Sequence, residues 1–366
     1  PLHVMAGRAA AAAFDLVREG SPSAIRAAVG PAQASFRDCL GCSLLFAAAR
    51  RDTDPTDALE VCRYLIEELG LEVDLKAGEA SLCQTPLFYA AHYGCPEVAT
   101  LLIDRRAEAD RKDSNAQTPL FWAAAGGNHS VLEVLLARGA DPGHLDWNGQ
   151  TALFYAAKAP RSDLVAALLS SFQDSGAVGE AVGVKDRLLQ QTPLFYAVQD
   201  GALETCTLLI ESRCDVDFVD ANGQSALFWA AKAGRSDFVE FLLEKRATTD
   251  LRDASHQTPL FYAADNNRVE ACRMLMEKGR ANPHAQSING HSPMYIALGL
   301  GEVRPQELIQ LFQAQLAPAP TSRKLRRTLS SASTASKKRR RSFPGSWAAE
   351  PFEEDGAAPH AAGSTA

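Results

Sequence analysis

Apolar and polar positions along this chain keep a fixed period. One block, a hydroxyl residue followed by Pro or Ala, Leu, Phe, an aromatic and Ala, returns as Thr85-Pro-Leu-Phe-Tyr-Ala, Thr118-Pro-Leu-Phe-Trp-Ala, Thr151-Ala-Leu-Phe-Tyr-Ala, Thr192-Pro-Leu-Phe-Tyr-Ala, Ser225-Ala-Leu-Phe-Trp-Ala and Thr258-Pro-Leu-Phe-Tyr-Ala, with weaker copies at Ser43 and Ser292. Successive starts are 42, 33, 33, 41, 33, 33 and 34 residues apart, so the unit is 33 residues with two insertions. A period of this size predicts a stacked array rather than separate globular domains. Within each unit, Thr or Ser is expected to cap a helix through its hydroxyl, and Pro at the first helical position gives up only an N–H that has no partner there. Gly94, Gly127, Gly201, Gly234 and Gly301, with Asn267 in the same place, tolerate the positive φ that ends a helix. A second apolar run such as Val131-Leu-Glu-Val-Leu-Leu then predicts a second helix, and Asn148-Gly149, Asn222-Gly223 and Asn289-Gly290 predict turns.

These residues resemble the ankyrin repeat, which pairs a TPLHxA helix start with a second helix and a projecting hairpin. The resemblance spans residues 9–316, since Phe14-Asp-Leu-Val-Arg-Glu-Gly-Ser and Ile25-Arg-Ala-Ala-Val read as a degenerate first copy, and Gly139-Ala-Asp adds to it. It implies an all-α solenoid of stacked helix-turn-helix units with projecting β-hairpin loops. The expected organisation is a capping repeat over 1–42, a solenoid of about eight repeats over 43–316 with insertions near 50–58 and 171–185, and a disordered basic tail over 317–366. The fold implies binding of partner proteins and leaves their identity open.

The chain departs from the family in one systematic way. The histidine after Leu is replaced by Phe46, Phe88, Phe121, Phe154, Phe195, Phe228 and Phe261, with Tyr295 last, so a Thr–His tie is lost. An aromatic ladder between repeats is expected instead, each buried ring contributing about 1.5–3 kcal/mol. The next position carries Tyr89, Trp122, Tyr155, Tyr196, Trp229 and Tyr262, either a row of partner-binding anchors or a seal between repeats. Gln84, Gln117, Gln150, Gln191, Gln224 and Gln257 precede the block and are expected to tie the hairpin. Trp147 and Ile288 fall at hairpin tips and are expected to be exposed protein-binding residues. The unit at Thr151 has Pro160 where its relatives have Gly, making 151–190 a candidate hinge or loop, although Ala152–Leu169 matches Ala226–Leu243 at 13 of 18 positions.

Composition narrows the chemistry. Net charge is −7, but residues 317–366 hold nine Lys/Arg against four Asp/Glu, which leaves −12 for residues 1–316 and argues against nucleic acid binding on the solenoid. In the tail, Arg323, Lys324, Arg326 and Arg327 precede Lys337, Lys338, Arg339, Arg340 and Arg341, a pattern that resembles a two-part nuclear import signal. Ser330 and Ser342 stand beside these runs as phosphorylation candidates. Nucleic acid or anionic lipid contact through the tail is the alternative use of the same charge.

The eight cysteines sit mostly in apolar patterns, which fits packing in a reducing compartment; the single Cys39–Cys42 CxxC pair lacks two further zinc ligands. No P-loop, GxGxxG, HExxH, GxSxG or kinase signature is present, so no catalytic, cofactor-binding or metal site is expected. No apolar stretch has the length of a membrane span and no secretory leader is recognisable at Pro1. The expectation is a monomeric, non-enzymatic scaffold or adaptor, cytoplasmic or nuclear, with a chromatin-associated regulator and a recognition subunit of a multi-protein enzyme such as a ubiquitin ligase as alternatives.

Overall fold

The computed structural model describes residues 2–51, 54–159, 161–173, 176–299 and 305–316. Eight helix pairs follow one another. The first helices are Leu44–Ala49, Pro86–Tyr93, Pro119–Ala125, Ala152–Lys158, Pro193–Asp200, Ala226–Ala233, Pro259–Asp265 and Pro293–Leu298. Their partners are Pro55–Arg63, Pro96–Asp104, His129–Ala137, Ser162–Ser171, Leu203–Glu211, Ser236–Glu244, Val269–Glu277 and Gln306–Leu316. Consecutive first helices pack side by side, and consecutive second helices do the same except at Leu203–Glu211 and Ser236–Glu244, which barely touch. No helix here is long enough to be stable alone in water, so the stack depends on the faces its units bury against each other. Those faces are Leu, Ala and Val from the first helix and an aliphatic stripe from the second, as Leu120, Ala123 and Ala124 meet Val131, Leu132 and Leu135 in one continuous core.

Helix ends follow the local chemistry at one end and not at the other. Gly94, Gly127, Gly201 and Gly234 take φ of 72–83° and Asn267 takes 57°, closing each first helix as expected, while Gly301 and Pro160 lie outside the described residues. At the N-termini the expected side-chain cap is absent in most units. Only Thr258 and Ser292 accept a backbone N–H, from Phe261 at 3.4 Å and Tyr295 at 3.1 Å. Elsewhere the carbonyl does that work, as Phe88 N donates to Thr85 O at 3.1 Å. The hydroxyls of Thr85, Thr118, Thr151 and Ser225 are buried with no hydrogen-bond partner. Phenylalanine stands where the repeat resembled here has histidine, so that position supplies these hydroxyls with no hydrogen-bonding atom.

The first unit is closed by two helices, Leu2–Glu19 and Pro22–Ala28, and by a buried arginine. Arg51 donates to the carbonyls of Val17 and Gly20, satisfying the C-terminal end of the long first helix, and its burial lowers its pKa from the ordinary arginine value. The extra residues of the unit at Ser43 do not sit at 50–58. Its second helix starts only one residue later than in the six units that follow; the added length lies beyond it, in a π turn over Tyr64–Glu68 and a hairpin containing the 3₁₀ turn Glu79–Ser81. Among the described residues of the insertion at 171–185, the short helix Val178–Val182 buries Ala181 and Val182, and Phe172 is buried too.

Candidate functional site

The hairpins are the most regular polar structure in the molecule. In the hairpin after Gly143, Asp146 N donates to Gln150 O at 2.9 Å and Gly149 N to Asp146 O at 2.9 Å, closing a tight turn with Gly149 at φ +73°. The Asp146 side chain holds that turn from inside: its Oδ1 accepts from Asn148 N and Gln150 N, both at 2.9 Å. Asp113, Asp220 and Asp253 repeat the arrangement with Asn115 and Gln117, Asn222 and Gln224, and Ser255 and Gln257. Asp38 does so at the start of the array with Leu40 and Cys42. These aspartates went unread in the sequence, although Asp stands five residues before the hydroxyl residue in five of the eight blocks.

The second carboxylate oxygen links one repeat to the next. Asp146 Oδ2 accepts from Tyr155 OH at 3.0 Å and from Gln117 Nε2 of the preceding unit at 3.3 Å, and the same Nε2 reaches Tyr155 OH at 2.6 Å. Tyr262, Asp253 and Gln224 form an equal triad, and Tyr196 OH donates to Asp186 Oδ2 at 2.9 Å while accepting from Gln150. The glutamines therefore bridge neighbouring repeats, a longer reach than a tie within one hairpin. Burial first, then the adjacent carboxylates, pushes the Tyr155, Tyr196 and Tyr262 hydroxyls above the ordinary tyrosine range.

The aromatic row has an apolar side too. Five of the buried Phe rings meet the next repeat's aromatic edge-on, with ring centroids 5.3 Å apart for Phe46–Tyr89, 6.4 Å for Phe88–Trp122, 5.5 Å for Phe121–Tyr155 and Phe154–Tyr196, and 5.9 Å for Phe228–Tyr262, while Phe195 meets Phe218 at 6.5 Å and Phe261 meets Tyr262 of its own unit at 6.4 Å. Tyr89, Trp122, Tyr155, Tyr196 and Trp229 are half-buried against the core, and Tyr262 is half-buried as well. Part of what they leave open is covered by cations: Lys158 Nζ lies 4.9 and 4.6 Å from the Tyr155 and Tyr196 centroids, and Lys232 Nζ lies 5.8 and 5.9 Å from those of Trp229 and Tyr262. The row is placed as an inter-repeat seam with a narrow exposed edge.

The tips are different. Trp147 and Ile288 are each 65% exposed, and Leu188, on the hairpin following that of Trp147, is 84% exposed. One backbone bond joins each tip to its neighbour: Ser114 N to Leu82 O, Trp147 N to Asn115 O at 3.1 Å, Arg187 N to Asn148 O at 2.7 Å, Ala221 N to Leu189 O, Ala254 N to Asn222 O and Ile288 N to Ser255 O. The exposed side chains are thus carried on a cross-linked row. Leu188 was missed in the sequence because the extra residue in Asp186-Arg-Leu-Leu-Gln-Gln shifts it out of phase with the other tips.

No group of three or more His, Cys, Asp or Glu is placed to hold a metal among the described residues. Burial pushes the thiols up, Cys42 to about 11 and Cys206, Cys214 and Cys272 to about 12, so all four are protonated at neutral pH. No described helix is long and apolar enough to cross a membrane. The tail candidates, Arg323 to Arg341 with Ser330 and Ser342, lie outside the described residues.

Family models for ankyrin repeats in three copies match residues 10–113, 105–178 and 174–253, and a single ankyrin repeat matches 255–288. The chain belongs to the ankyrin-repeat family. Among solved structures it is similar to the ankyrin repeat domain of Bcl-3, described as a unique member of the IkappaB protein family, with 26% identity, a TM-score of 0.53, and 63% of this chain and 98% of that one covered. It is also similar to the human ASB11 ankyrin repeat domain, with 25% identity, a TM-score of 0.56, and 64% of this chain and 100% of that one covered. No curated protein matches the chain. Ankyrin repeats are generally non-catalytic interaction modules, and this chain is a protein-interaction scaffold.

Proposed function

We propose that the scaffold acts stoichiometrically, without chemistry of its own, and that its principal contact surface is the row of hairpin tips around Trp147 and Leu188. The observation that carries this reading is the exposure of Trp147 at 65% and Leu188 at 84% on adjacent, cross-linked hairpins. Exposed aromatic anchors on a pre-ordered frame are what a tight interface needs, since little conformational entropy is lost on the scaffold's side. The half-buried seam from Tyr89 to Tyr262 contributes rigidity and only its open edge to contact.

The test is capture of partners by the full chain and by a Trp147→Ser/Leu188→Ser variant with an unchanged circular dichroism melt. Proteins held by the first and lost from the second support the tips; an identical set on both removes them as the contact surface. Catalytic chains co-purifying through the same surface would make the protein a recognition subunit of a larger enzyme. The basic runs from Arg323 to Arg341 support a second element, entry into the nucleus through an import receptor. Asp at Ser330 and Ser342 is expected to shift the protein toward the cytoplasm, and an unchanged distribution would discard the switch. Partners that appear only while the tail is present and wash away with salt would assign the binding to the tail and favour nucleic acid.

A further inference from the structure

At the N-terminal end of the stack, away from the Trp147 tip, lies a cavity of about 470 Å³ between the helix Leu2–Glu19, the hairpin at Asp38–Cys42 and the first helix Leu44–Ala49. Its size is that of pockets which enclose ligand side chains. Phe14, Leu40, Phe46 and Tyr89 form its apolar lining, and three arginines stand on its walls. Arg18 is already paired, with Asp15 at 3.1 Å and Glu19 at 3.0 Å. The other carboxylate of the wall, Asp38, spends one oxygen on the amides of Leu40 and Cys42, both at 2.9 Å.

The remaining two arginines are not neutralised. Arg37 donates to the backbone carbonyls of Ala34 at 3.2 Å and Phe36 at 2.8 Å, and Arg50 lies 5.7 Å over the exposed Tyr93 ring; neither has an ion pair among the described residues. A guanidinium presents planar donors that suit a carboxylate, and an apolar floor beneath it excludes water. We propose that this cavity binds an acidic peptide segment of a partner protein, an apolar or aromatic side chain filling the cup while Asp or Glu beside it pairs with Arg37 and Arg50. The chemistry of the lining selects this occupant: the cup is apolar, and its three arginines, Arg18, Arg37 and Arg50, outnumber its two carboxylates, Asp15 and Asp38, with Arg37 and Arg50 free of ion pairs among the described residues. It gives the scaffold reading a partner of stated chemistry at a surface that does not depend on the tips.

The experiment is display of random twelve-residue peptides against the immobilised full chain, with subtraction on an Arg37→Glu/Arg50→Glu variant whose melt matches the parent. Enriched peptides are expected to place Asp or Glu within four residues of Phe, Leu or Trp. A synthetic copy of the best one should bind the variant about tenfold or more weakly, weaken with added salt, and regain affinity for the variant when its acids are changed to Lys. Should the reversal disturb the melt, Arg37→Gln/Arg50→Gln replaces it, with the same loss expected. The Trp147→Ser/Leu188→Ser variant should bind the peptide as the parent does. Absence of enrichment, enrichment without acidic residues, equal binding by the arginine variant, or loss of binding in the tip variant would each overturn the cavity as the site.

Discussion

The units opening at Thr151 and Ser225 are near copies, yet they resolve the same polar problem differently. In the first, Tyr155 places its hydroxyl on Asp146 and receives Gln117, so all three buried polar groups are paired. In the second, Trp229 stands in the tyrosine position and its indole N–H is buried with no partner, while Asp220 Oδ2 takes a bond from Gln191 at 3.2 Å. Trp122, in another unit, does reach its own carboxylate, Asp113, at 3.3 Å. The ring at this position is therefore chosen for packing, and its polar atom is an addition that one unit uses and another forgoes. The units differ at their helix ends as well. Gly234 closes one helix at φ +77°, whereas Ala159 leaves the other in extended backbone before Pro160, as a residue preceding proline must.

The largest expected effect comes from removing the carboxylate that makes the difference. Asp146→Ala strips partners from two backbone amides, Gln117 and Tyr155 at once, and should cost about 3 kcal/mol, since each buried donor left unpaired costs about 1–3 kcal/mol. Asp220→Ala lacks the ring partner and should cost less. Urea midpoints of the two variants, with hydrogen exchange at the amides two and four residues on, measure the gap. Equal losses would show that the tyrosine bond contributes nothing and that the units are energetically the same.

The contrast between units also marks what could be read from the sequence. The helices, their glycine ends and most of the Phe ladder are legible because each depends on residue type at a fixed phase: an apolar ring recurring at one position of a stacked unit is brought near the ring of the next. The Asp–Gln–Tyr network was half legible. The glutamines were visible as a column, but their reach to the next repeat depends on the stacking distance between units, and the aspartates slip phase by one residue at Asp186. The missing hydroxyl caps were illegible, because Thr in an N-cap position has the same local sequence whether its side chain turns to the amide or away from it. The cavity at the N-terminal end is a product of how the degenerate capping helix meets the first full unit, and no periodicity announces it.

A smaller gain is expected on making the units alike. Trp229→Tyr supplies a hydroxyl at the distance from Asp220 that Tyr155 and Tyr262 use toward their own aspartates, 3.0 and 2.7 Å. Pairing the buried polar atom should stabilise by about 1 kcal/mol, less the apolar area the smaller ring gives up. A lower urea midpoint would mean that packing of the indole outweighs the bond. High pH separates the two units by another route. Burial and Asp146 hold the proton on Tyr155 in the folded chain, so the unfolded chain loses its proton first, near pH 10. The stabilisation is complete below that pH and falls as pH rises toward the folded value. The fall in urea midpoint above pH 10 should be shallower in Tyr155→Phe than in the parent, and unchanged in slope in Trp229→Phe. Parallel slopes in all three would deny Tyr155 its tie to the carboxylate.

The smallest effect is expected where exposure is greatest. Trp147 contributes one indole bond to Ser114 O at 2.9 Å, and its ring is mostly in solvent; the backbone bond to Asn115 O that fixes the tip does not involve the side chain. Trp147→Ser should therefore shift stability by no more than about 0.5 kcal/mol, the range of surface substitutions away from packed features. Trp229→Ser, at the seam, should cost several times that, because it opens a cavity between two repeats. The pair of urea midpoints distinguishes a residue kept for contact from one kept for the stack. A large loss at Trp147 would place it with the seam and withdraw the physical reason for reading the tips as the binding surface.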